Sequence, residues 1–87
     1  MEFFDTHHSL DLCEVVIQWR TGYMEEDFPV AEVATVIDYL TGSEQILENE
    51  EQIQMFLGKN TWDNVLQEAI EYKYSGDMRL ATLGFSD

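Results

Sequence analysis

Acidic side chains run the length of this chain and almost none has a basic neighbour. Of its 87 residues, 18 are Asp or Glu and only 4 are Lys or Arg, a formal net charge of -14. In an ordinary soluble helix a Glu is often offset by Lys or Arg three or four residues away. Measured outward from Arg20, Lys59, Lys73 and Arg79, only Asp63 and Asp77 fall at such spacings. The run Glu44, Glu48, Glu50, Glu51 contains no Lys or Arg at all. Like charges four apart on a helix cost roughly 0.2 to 0.5 kcal/mol per pair, so the run serves something other than helix stability.

A field of this sign repels nucleic acid and anionic membranes and favours basic or cationic partners. The hydrophobic fraction of 45% is that of a globular protein rather than a disordered one, and the length suits one domain over residues 1–87 with a single modest core. Cys13 is the one cysteine, so no internal disulfide is expected. Its neighbours Leu12, Val15 and Val16 suggest a buried thiol in a reducing compartment. The first residues lack the positive flank and apolar stretch of a signal peptide, and no apolar run nears the roughly 20 residues needed to span a bilayer. A cytoplasmic protein is expected, in a host cytoplasm if phage-encoded.

The expected fold is mainly α, with three to four short helices. Ser9 is a candidate N-cap for a helix over 9–20, where Asp11, Glu14 and Gln18 fall at helical intervals. Val15, Val16, Ile17 and Trp19 are equally good strand formers, which keeps a strand as the competing assignment. Thr21 to Tyr23 reads as a stop and Met24 to Asp27 as an acidic loop. Phe28-Pro29 opens a second helix with Val30, Val33, Ala34, Ile37 and Leu40 as its apolar stripe and Gly42 as its end. Ser43 could cap a helix over 43–57. Alternatively Asn49 caps a separate helix, with Gln52 reaching back as in a capping box and Ile53, Phe56 and Leu57 buried up to Gly58. A last helix follows Lys59 to Thr61, with Trp62, Val65, Leu66, Ala69, Ile70 and Tyr72 inward and Gly76 as terminator. The tail from Met78 to Phe85 has the composition of a strand or packed arm. Pairing with Phe3 and Phe4 would make a short α+β element from the two termini.

On one continuous helix Glu44, Glu48 and Glu51 would line a single face at rises of about 6 and 4.5 Å. Glu25, Glu26 and Asp27 of the loop and Glu68 and Glu71 of the last helix would extend that row. DNA carries one charge per roughly 1.7 Å of duplex axis, so carboxylates a few ångströms apart can imitate it. The expected function is therefore non-enzymatic. The protein would occupy the basic groove of a nucleic-acid-binding protein as a nucleic-acid mimic, an inhibitor of phage counter-defence type directed at CRISPR or restriction systems. It would bind no nucleic acid or membrane itself, and pairing into a homodimer would lengthen the mimic. Tyr23, Phe28, Tyr72 and Tyr74 are candidate apolar anchors. A small adaptor working through an exposed apolar stripe with acids at its rim is the alternative.

Other chemistry has little to stand on. The stretch "HSLDLCEVV" at 8–16 resembles the start of the second helix in acyl and peptidyl carrier proteins, and "FPVAEVATVIDYL" at 28–40 resembles their last helix. The resemblance covers about a third of the chain and implies a phosphopantetheine-bearing serine at Ser9. The residues before that serine are His7-His8 rather than the family's usual Asp or Gly-Gly-His. His7 and His8 lack a third ligand for a metal, and no Asp-x-Asp-x-Asp-Gly calcium loop is present. No phosphate loop, nucleophile elbow or His-Glu-x-x-His pair occurs, so neither a catalytic residue nor a cofactor is expected.

Overall fold

The computed structural model describes residues 2–22 and 27–86, with side chains through Tyr74. Four strands precede two helices: β1 (Glu2–Ser9), β2 (Cys13–Thr21), β3 (Val30–Asp38), β4 (Glu44–Leu47), α1 (Glu50–Leu57) and α2 (Lys59–Ser86). The strands form one antiparallel sheet in the order β1-β2-β3-β4, each paired with its neighbour in sequence.

Period-two alternation explains the central strands. In β2, Cys13, Val15, Ile17, Trp19 and Thr21 face inward while Glu14, Val16, Gln18 and Arg20 face the other way, as successive side chains of a strand must. β-branched and aromatic residues fit that pleated, half-buried surface. The inward set meets both helices in one core, in which Val15, Ile17, Trp19 and Ile53 are fully enclosed and Trp62, Val65 and Ala69 of α2 close the top. Trp19 stacks on Trp62 with ring centroids 5.8 Å apart, and Phe4 of β1 stacks on Tyr72 of α2 at 5.0 Å.

The mainly α expectation is overturned, and with it the helices over 9–20, 28–40 and 43–57. The reason is that a spacing of four puts residues on one face of a helix and on one face of a strand alike, so Glu14 and Gln18 do not discriminate. The stripe Val30, Val33, Ala34, Ile37 looked helical because β3 carries a bulge. The register steps from Gln18↔Val33 to Trp19↔Ala31, leaving Glu32 as an extra residue that shifts the parity of the alternation. Ala31, Ala34 and Val36 are the buried set, while Val30, Val33 and Ile37 lie on the opposite face and Leu40 sits exposed in the next turn.

That turn ties β3 to β4. The Asp38 carboxylate accepts the Leu40 and Thr41 amides at 2.8 and 3.2 Å, and Gly42 takes a φ of 72° that a side chain would resist. Gly42 is therefore a hairpin residue rather than a helix end. The N-terminal strand is present, but β1 pairs with β2 and not with the tail. The tail is helical because Met78, Arg79, Leu80 and Ala81 are good helix formers, and α2 continues through Gly76 to Ser86.

The two-piece reading of 43–57 anticipates α1 well. Asn49 Oδ1 accepts the Gln52 amide at 2.9 Å, and the Gln52 side chain accepts the Glu48 amide at 2.9 Å. Ile53 is buried, Leu57 is half-buried and Phe56 stays exposed.

Candidate protein-binding face

Both helices pack on one side of the sheet, and no described element covers the other. On that open side β1 presents Phe3, Asp5, His7 and Ser9, and β2 presents Glu14, Val16, Gln18 and Arg20. β3 adds Val30, Glu32, Val33, Thr35 and Ile37, and β4 adds Glu44 and Ile46. None of these side chains is buried. Register fixes their order across the sheet: Ser9, Glu14, Ile37, Glu44 form one row and His7, Val16, Thr35, Ile46 the next. Neighbouring strands lie about 4.8 Å apart, so Glu14 and Glu44 stand about 10 Å from one another across the Ile37 strand.

The face thus interleaves aliphatic and acidic side chains. Val16, Val33, Ile37 and Ile46 are its aliphatic members, with Ile46 53% exposed on the edge strand. Asp5, Glu14, Glu32 and Glu44 stand among them, one on each strand. Among its described residues Arg20 is the one Lys or Arg, and it is committed to Glu32 at 2.7 Å. His7 lies 3.3 Å from Glu14 and contributes a proton-dependent partner only.

The acids singled out from the sequence do not form one row. Glu44 ends up on β4 at the open face, Glu48 in the following turn and Glu51 in the first turn of α1, because a strand and a break replace the continuous helix. Glu68 and Glu71 lie on α2, on the opposite side of the sheet, and Glu68 is tied to His8. Glu25 and Glu26 fall outside the described residues, as does Tyr23. The main-chain carbonyl of Asp27 accepts from Lys73 Nζ at 2.6 Å and from the Thr21 hydroxyl at 3.2 Å. Of the aromatic candidates Phe28 is the most exposed, and Tyr72 is half spent on Phe4.

Glu50 is acidic without belonging to the charged surface. Its carboxylate accepts the amide of Ala31 at 3.1 Å, clamping the start of α1 to the start of β3. Asp5, Glu14 and Glu32 are the site residues that sequence reasoning missed. The signal was the strict alternation of Cys13, Val15, Ile17 and Trp19, which places Glu14 on the far side of a strand.

A second polar feature lies under α2. Trp19 Nε1 donates to Thr6 Oγ1 at 2.7 Å, and that oxygen is also 2.7 Å from His8 Nε2. His8 Nδ1 is 2.9 Å from a Glu68 oxygen, which can only accept, so the neutral ring carries its proton on Nδ1 and Thr6 donates to Nε2. Burial lowers the His8 pKa, His7 lowers it further, and Glu68 opposes them. The order carboxylate, imidazole, hydroxyl is that of a hydrolytic triad, yet Thr6 is buried and its oxygen already accepts from Trp19, so this network is a structural cross-link of β1, β2 and α2.

His7 and His8 point to opposite faces of β1, as neighbours in a strand must, and cannot share an ion. Ser9 ends β1 opposite Glu14, so the helix start that a carrier protein needs at its serine is missing. Cys13 is half-buried rather than enclosed. Among the described residues no helix is long and apolar enough to cross a membrane. Compared with known protein families, with curated proteins and with solved structures, the chain finds no match in any of the three.

Proposed function

We propose that this protein is a non-enzymatic binding module that sets its open sheet face against the basic surface of a nucleic-acid-binding protein and excludes nucleic acid from it. The carrying observation is the uncovered face itself, on which Asp5, Glu14, Glu32 and Glu44 stand among part-exposed aliphatic side chains, with Arg20 the one Lys or Arg among its described residues and paired to Glu32. A formal charge of -14 steers such a face toward Lys- and Arg-rich grooves, and a partner's cations supply the countercharges that the free chain lacks. The class of inhibitor this fits is the phage counter-defence protein acting on CRISPR or restriction enzymes in the cytoplasm of the host. A second copy adding along the free edge of β1 would double the acidic surface.

The test is capture of binding proteins from a host lysate, followed by elution with duplex DNA or with salt. Release of a nucleic-acid-binding protein by DNA supports the reading, and the affinity should fall steeply as salt screens the charges. The aliphatic side chains of the face favour one further reading, a small adaptor. On that reading Val16, Val33, Ile37 and Ile46 carry the affinity, the partner stays bound in DNA and in moderate salt, and Val33→Ser with Ile46→Ser abolishes capture while neutralising the acids does not.

A further inference from the structure

The end of the sheet that carries the β1–β2 and β3–β4 turns is incompletely roofed. α1 covers Leu47 and part of Val36 and then stops, leaving a mostly apolar groove of about 330 Å³. Leu12 and Cys13 at the start of β2, Val36 and Asp38 of β3, Gln45 of β4 and Phe56 of α1 line it. The two turns are joined at its mouth, where the Tyr39 amide donates to the Leu12 carbonyl at 3.1 Å. Beside that bond Leu12 is 70% and Leu40 87% exposed, which with Met55 of α1 are the largest such values for aliphatic side chains among the described residues. Isolated exposed apolar residues are ordinary, but here Leu12 lines a concavity with Phe56, itself exposed.

We propose that this groove is the anchor seat for the partner, taking apolar side chains from a basic amphipathic helix. The inference rests on the reading of the acidic face given above and adds the element and the residues that hold it. Two observations fix the chemistry of the occupant. The volume is at the lower end of the roughly 300 to 1,000 Å³ typical of ligand clefts, enough for one aromatic or a pair of aliphatic side chains and too small for a nucleotide cofactor. The charge around it is of one sign: Asp38 lines it, Asp11 lies in the adjoining turn, and the segments 9–14, 36–47 and 50–57 hold no Lys or Arg. Lys59 follows only beyond Gly58. The row Ser9, Glu14, Ile37, Glu44 lies at this same end on the opposite face of the sheet, so a partner that wraps the turns meets the groove with one segment and that row with another. Apolar anchors in a groove with cations against an acidic rim are the helix-in-groove mode of recognition.

The experiment measures fluorescence anisotropy of two labelled synthetic peptides, an amphipathic helix of Leu and Lys and an oligolysine of equal charge. The protein is used as the whole chain, as wild type and as Leu12→Ser with Phe56→Ser. Both positions are exposed, and circular dichroism melts check that the variant folds. The expected result is that wild type binds the amphipathic peptide at least about tenfold more tightly than oligolysine. The variant should lose that advantage while binding oligolysine as before, and the amphipathic peptide should slow alkylation of Cys13 in the wild type alone. Equal affinity of wild type for the two peptides, or an advantage kept by the variant, overturns the groove and leaves the acidic face standing. Failure of oligolysine to bind while the amphipathic peptide binds independently of salt overturns the acidic face and leaves the groove.

Discussion

Thr6 decides more than its size suggests. Its hydroxyl accepts from Trp19 and donates to His8, so a valine of the same shape leaves a buried indole N–H without a partner. An unsatisfied buried group costs about 1 to 3 kcal/mol, and Thr6→Val should lower the denaturant midpoint accordingly, with the slope unchanged. His8 gives the same network a pH signature. Its pKa lies below the ordinary 6.5 when folded, so in the window just under 6.5 the unfolded chain binds more protons than the native one. The His8 contribution is complete above 6.5 and declines as pH falls through that value toward the lower folded pKa. Fading carboxylate repulsion acts in the opposite direction in a chain of pI near 4.1. The comparison is therefore wild type against His8→Gln: the difference in stability between pH 7.5 and 5.5 should be less favourable to the acid condition in wild type. Identical pH profiles would remove His8 from the account. None of this network was legible in the sequence, because Thr6, His8, Trp19 and Glu68 meet only through strand pairing and the docking of α2.

At the scale of elements, α1 and the first half of α2 declare themselves, while the strands and the continuation of α2 past Gly76 do not. Asn49, Gln52 and Gly58 are local signals whose hydrogen bonds close within one turn, and Trp62, Val65, Leu66 and Ala69 recur at a true helical period. β3 hides because the bulge at Glu32 breaks its alternation and because one face is apolar inside and partly apolar outside. β2 alternates cleanly, but its Glu14 and Gln18 satisfy both periods. Two substitutions probe what α1 depends on. Asn49→Ala removes the cap and should cost about 1 kcal/mol. Gly58 has φ 83° and ψ 161° with open space around it, so Gly58→Ala meets no clash, and its cost is purely conformational. It should be about 1 to 3 kcal/mol. Thermal melts of both variants check the pair, and a neutral Gly58→Ala would mean that α1 and α2 join through another backbone conformation.

For the molecule as a whole, the excess of acid sets the sign of its field and, on the proposed reading, its partner. Repulsion among unpaired carboxylates destabilises the compact state, so added salt should raise the melting temperature of the free protein while weakening its complex. The composition made the negative field legible, and the basic surface that meets it belongs to the proposal. Which acids share a plane was not legible, since it depends on strand register, and the row drawn from Glu44, Glu48 and Glu51 dissolves once β4 and α1 replace one helix. The most direct measurement is capture from host lysate by wild type and by the triple variant Asp5→Asn, Glu14→Gln, Glu44→Gln, with elution by duplex DNA. Wild type should retain a nucleic-acid-binding protein that DNA displaces, and the variant should fold, melt slightly higher and retain little of it. The same proteins held by both, and left in place by DNA, would contradict the acidic face as the binding surface.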